Sequence, residues 1–226
     1  MPGPLGAYYA SYIGAYGGTH GPGAAVNRFF PALGNHDYWN GDDGANYYRF
    51  FTLPGAGLVS TSGTERYCDF TWGPVQFFVL DAYDETAVQR SWLKEALAAS
   101  VTPWQIVVGH YPPYSSGGDG SSDWMQWPYE SWGADAVLSG HSHQYERIMR
   151  DDDGDSNSIP YVVVGPGGAP TRPFGLPVSG STVRYSSSQG AMVADACDAG
   201  ITFTFHSLDD GLVDRFVVGA SCQPRG

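Results

Sequence analysis

Apolar positions recur along the chain with two periods. Val88, Trp92, Leu93, Ala96 and Leu97 return at helical spacing, and Thr86 followed by Gln89 has the form of a capping box. That pattern predicts one clear helix opening at Thr86. Short apolar or alternating runs predict strands over 66–72 and 75–81, joined by Gly73-Pro74 in hairpin fashion. Further strands are expected at 105–108 and 136–138, with 145–149 extended. After an acidic stretch at 151–157, the tail predicts strands at 160–165, 191–197, 201–207 and 212–218. The stretch 38–64 reads as loop with one or two helical turns, and 124–132 as a short helix interrupted by Pro128. The order is mixed α/β first and nearly all β at the end. No repeat or linker divides it, giving a Gly- and Tyr-rich segment 1–28, a domain 29–218 and a tail 219–226.

Composition narrows the partners. Over 226 residues, Asp and Glu number 23 against 11 Lys and Arg, a formal net charge of −12. Lys94 is the single lysine, so no basic patch exists for nucleic acid or an anionic membrane. The longest apolar runs, such as Phe77–Leu80, fall far short of the roughly 20 residues that span a bilayer. The first residues lack the basic flank and apolar stretch of a signal peptide. Cys68, Cys197 and Cys222 fit no CxxC pattern, which excludes a cysteine metal site. One disulfide with one free thiol fits the count, and the pairing stays open.

The chemistry concentrates at strand ends. Three apolar strands each run into Gly and then a side chain able to bind metal: Asn35, His110 and His141. Active sites gather at the carboxyl ends of strands in open α/β sheets. A glycine before the ligand removes bulk and lets the chain turn. Four of the 6 histidines, His36, His110, His141 and His143, fall in these segments. His141 and His143 face the same way if the backbone between them is extended. Imidazole nitrogens with an amide oxygen suit Zn, Fe or Mn rather than Ca.

Gly34-Asn35-His36-Asp37, Gly109-His110 and Gly140-His141-Ser142-His143 resemble, in order, the last three motifs of the calcineurin-like metallophosphoesterase family. The run from Gly140 to Arg147, and Gln89…Trp92-Leu93 ahead of Val107–Tyr114, are similar to its purple acid phosphatase branch. The resemblance implies a four-layer α/β/β/α sandwich of two mixed sheets. It implies hydrolysis of small phosphate esters, monoesters first, by two transition metals (Fe, Zn or Mn). Asn35, His110 and His141 would bind one metal and His143 the other. His36 would contact the phosphate and protonate the leaving oxygen, and Asp37 would orient the His36 imidazole. The two metals would clamp the phosphate and supply hydroxide for in-line attack. The branch is often secreted, which makes a secreted or periplasmic location the expectation.

Two earlier family motifs, Asp-x-His and Gly-Asp-x-x-Tyr, have no counterpart, since no Asp or Glu precedes Asp37. The expectation is therefore an N-terminally incomplete copy lacking its first βαβ portion, with one metal or none in this chain. A phosphodiesterase or nucleotidase of the same family, or a degenerate binding module, are the alternatives. Tyr111, Tyr114, Trp124, Trp127 and Trp132 flank the histidine segments and either line a substrate cleft, with Tyr111 and Tyr114 as binding residues, or pack the loops down. Asp151, Asp153 and Asp155 alternate as in a calcium loop but lack its Gly and closing Glu, and read as a solvated turn. Asp81 reads as structural, Gly165–Gly168 as a tight turn, and His20 and His206 as non-ligands.

Overall fold

The computed structural model describes residues 4–41, 43–55, 58–83 and 86–222. One edge of its larger sheet is the hairpin of β1 (Cys68–Trp72) and β2 (Val75–Val79), turned by Gly73 at a φ of 58°. From β2 the chain crosses through helix α3 (Ala87–Ala99) to β3 (Trp104–Val108), which pairs parallel to β2. Thr86 caps α3, its hydroxyl accepting from Gln89 N at 3.4 Å. The parallel set continues with β4 (Ala136–Ser139) and β6 (Ile159–Val164). Strands β5 (Tyr145–Arg150) and β7 (Ser181–Tyr185) complete a seven-stranded mixed sheet, both antiparallel to their neighbours.

The tail forms a second sheet of three strands, β8 (Gly190–Cys197), β9 (Gly200–Ser207) and β10 (Gly211–Gly219). It is antiparallel throughout rather than mixed, because short turns join its successive strands. The period-2 alternation decides which layer each side chain meets. Phe78, Val107 and Val137 point to one face and pack with Leu93 and Leu97 of α3. Phe77, Ile106 and Ala136 point to the other and pack with Ile201 and Phe203 of β9. The described residues thus form three layers of the expected sandwich, helix on sheet on sheet.

Two short helices, α1 (Pro4–Tyr9) and α2 (Ala45–Phe50), precede the sheet. Ile13, Leu33, Tyr47 and Phe51 pack against Phe70 and Val79 at the β1–β2 edge. Asn27, 1% exposed, ties this part together by accepting from Gly14 N and donating to Pro54 O. Cys197 and Cys222 form a disulfide joining the end of β8 to the chain beyond β10, and Cys68 is a buried free thiol. No helix among the described residues is long and apolar enough to cross a membrane.

Candidate metal centre

Residues just beyond β3 and β4, together with the turn at Asn35, meet at the carboxyl ends of the parallel strands. Gly109 N donates to Leu138 O and Gly140 N to His110 O, each at 3.0 Å, which zips the two strand-end loops side by side. Asn35, His36 and Asp37 form a one-turn 3-10 helix. His110 Nε2 lies 2.8 Å from Asn35 Oδ1 and 3.2 Å from His141 Nδ1. A single ring nitrogen carries at most one proton, so it serves only one of two such neighbours as a donor. Three lone-pair atoms drawn together in this way would suit a borderline cation, and the residue types fit a metal of the Zn, Fe or Mn class.

Burial disfavours the charged form of the two buried imidazoles. Burial, followed by His141, His36 and His143, holds the His110 imidazole down to about 4. Burial likewise lowers His141, partly opposed by Asp119. His141 adopts a left-handed backbone, φ 61°, and Ser142 N bonds back to Gly140 O at 2.7 Å. The segment is therefore a tight turn and not the extended run on which the expected common direction of His141 and His143 was premised. His143 Nδ1 meets Pro170 O at 3.1 Å. A Cβ at Gly165 would strike Ser142 O, so this glycine admits the histidine turn.

Asp37 acts differently from expectation. Its Oδ2 accepts from Gly34 N at 2.9 Å, fixing the turn that presents His36 rather than the imidazole. The ring packed on His36 belongs to Trp39, at 3.9 Å between centroids. The expected strand ahead of Asn35 does not form, since residues 27–34 are irregular, so only Gly109 and Gly140 follow strands; of the three glycines Gly34 alone faces a tight contact. A Cβ there would reach 2.8 Å from His110 Nδ1, whereas at Gly109 and Gly140 it would meet ordinary contacts.

The turn is anchored from below by Tyr38, whose hydroxyl donates to Asp81 Oδ2 at 2.5 Å. Asp81 is fully buried and also accepts from Arg66 Nη2 at 2.9 Å and Tyr83 N at 3.0 Å. Burial first, and then Asp81, push the Tyr38 phenol well above its ordinary range. Tyr111 packs 4.4 Å from His141 and 5.4 Å from Trp124, centroid to centroid. Tyr114 turns elsewhere, with its hydroxyl toward Asp152 and Arg150 over its ring at 4.0 Å. Trp127 and Trp132 pack with Tyr129 on the α3 side of the sheet.

Among the described residues, the one group of three or more acidic, His or Cys ligand atoms within 4.8 Å of one another is Glu130, Asp151, Asp153 and Asp155. Glu130 comes to that loop from a separate turn, which loop spacing alone does not reveal. A cavity of about 880 Å³ lies between the two sheets, lined by Trp72, Phe77, Ile106 and Phe203 and by none of the histidines.

Residues 6–145, more than half of the chain, match the family model for calcineurin-like phosphoesterases. Purple acid phosphatase 15 of Arabidopsis thaliana is 37% identical over 123 residues, covering 48% of this chain and 23% of that protein. Purple acid phosphatase 18 of the same plant is 30% identical over 190 residues, covering 74% and 43%. The chain thus spans less than half the length of these relatives. The solved purple acid phosphatase from yellow lupin seeds superposes with a TM-score of 0.67 at 22% identity, over 85% of this chain and 38% of that one. The chain belongs to the calcineurin-like phosphoesterase family, within its purple acid phosphatase-like branch.

Proposed function

We propose that this site hydrolyses phosphate monoesters with the help of a transition-metal cation. The convergence of Asn35 Oδ1, His110 Nε2 and His141 Nδ1 carries the reading. These residues would hold a cation that, when bound, would neutralise phosphoryl charge and activate water near neutral pH. The chain's own residues do the rest. His36, on the flank of the donor set, protonates the oxygen that leaves as the P–O bond breaks and water adds to phosphorus. Asp37 fixes the turn that presents His36, and Tyr111 shields His110 and His141 from solvent. His143 would hold a second cation of a binuclear centre. The net charge of −12 does not oppose an anionic substrate, since a bound cation dominates the local field.

Turnover of 4-nitrophenyl phosphate and bis(4-nitrophenyl) phosphate, with Zn, Mn or Fe supplied, tests the reading. Faster monoester turnover that disappears with a chelator and with His110→Ala supports it. Diester preference would favour a phosphodiesterase. Metal uptake without hydrolysis of either would favour a binding module.

A further inference from the structure

Beside the second sheet, on the face of the larger sheet that Phe77 and Ile106 share, lies a groove of about 410 Å³ that no residue of β8, β9 or β10 lines. Its walls are Phe70 and Trp72 of β1, Phe77 and Val79 of β2, Val108 of β3, and Phe30 with Arg28 from the segment ahead of the sheet. The strand residues alternate along β1 and β2 and pair in register, so their side chains stand on one face. Phe30 stacks on Phe70 with centroids 3.7 Å apart, and Phe70 on Phe77 at 5.1 Å. Trp72 is 46% exposed. The larger cavity between the sheets is also lined by Trp72 and Phe77, so the two spaces adjoin at these rings.

Arg28 is the one charged residue in the groove's lining. Its guanidinium lies 5.7 Å from the centroid of the Tyr12 ring, and among the described residues it has no carboxylate partner. Asp69 of β1 alternates to the opposite face, where it already accepts from Thr61 N and Gln76 Nε2. The larger cavity, by contrast, carries an acid as well as a base, Asp195 and Arg215. Concave apolar walls with a single convergent charge have the form of a small-molecule site. We propose that this groove binds a long-chain carboxylate, with its alkyl chain along the ring wall toward Trp72 and its head group on Arg28. A guanidinium matches a carboxylate with paired N–H donors. An extended peptide would bring N–H and C=O groups that these apolar side chains cannot pair, whereas an alkyl chain brings none. No histidine lines the groove, so the proposal stands apart from the phosphomonoesterase reading.

The test titrates dodecanoate, butanoate and dodecyltrimethylammonium calorimetrically into the full chain, below the concentrations at which they form micelles. Butanoate keeps the charge and lacks the chain; the ammonium ion keeps the chain and inverts the charge. Dodecanoate is expected to bind about tenfold tighter than either. Arg28 is exposed, so Arg28→Gln keeps the fold, and it should reduce the preference for dodecanoate over the dodecyl cation to about twofold or less. Trp72→Ala should weaken dodecanoate about fivefold. Sedimentation velocity on the same samples reports whether a second copy occupies the groove instead. Absence of dodecanoate binding overturns the proposal, as does equal binding of the two dodecyl ions or an undiminished preference in Arg28→Gln. A dimer that Trp72→Ala converts to monomer also overturns it and seats a second copy on this face.

Discussion

Gly34 and His110 touch at a point where no side chain fits: a Cβ on residue 34 would lie 2.8–2.9 Å from three atoms of the imidazole ring. The ring also faces Asn35 Oδ1 and His141 Nδ1, so it has no free direction in which to retreat. Gly34→Ala is therefore expected to cost about 1–3 kcal/mol of stability through overpacking. Zn affinity measured by calorimetry should fall at least tenfold, and an unchanged affinity would show that the ring relaxes freely.

Tyr38 and Asp81 tie the His36 turn to the end of β2. Tyr38→Phe keeps the stack on Tyr83 and removes one hydrogen bond to a buried carboxylate, a loss of about 1.5–3 kcal/mol. Asp81→Ala removes the partner of Tyr38, Arg66 and Tyr83 N together and should cost about 3–5 kcal/mol. Urea denaturation of both variants checks the order; a smaller loss in the alanine variant would contradict the hub role of Asp81.

Cys68 makes an alkaline signature. Burial, then Asp69 and Glu65, push its thiol up to about 12, above the value of about 8.5 it has in an unfolded chain. Below the lower value both states hold the proton and stability is unaffected. Between the two, the unfolded state releases it first, so stability falls as pH rises, by about 1.4 kcal/mol per unit from this group. The difference in unfolding free energy between wild type and Cys68→Ala, followed from pH 8 to 11, isolates it from the tyrosines. A difference independent of pH would sink the assignment.

The disulfide between Cys197 and Cys222 closes a loop with a sequence separation of 25. Chain entropy alone assigns such a closure about 3–4 kcal/mol. Adding reductant should lower the denaturation midpoint of the wild type and leave a Cys197→Ser/Cys222→Ser variant unmoved. Equal midpoints with and without reductant would show that the link carries no stability.

Helix α3 was legible because its apolar face and Thr86 cap are local signals, and the strand-end motifs because each lies within four residues. Strand β7 escaped reading, since Ser181–Tyr185 alternates with polar residues at a sheet edge and carries no apolar run. Contacts between loops were the harder part. Trp39 beside His36 is a local contact three residues apart, whereas Glu130 beside Asp151 and the divergence of Tyr114 from Tyr111 depend on how loops fold over one another. Sequence spacing does not encode that. The bond that the Asp37 carboxylate accepts from Gly34 N was also not foreseen: the resemblance implied the imidazole as its partner, and an N–H left over at the start of the turn is a partner as well.

His141 holds a backbone conformation that glycine or asparagine would adopt with less strain. A selection for heat resistance alone, blind to catalysis, would be drawn to replace this residue. His141→Gly is thus a substitution in which the melting temperature and the metal affinity are expected to move in opposite directions. On the proposed reading, position 141 marks where this chain gives up conformational ease for chemistry.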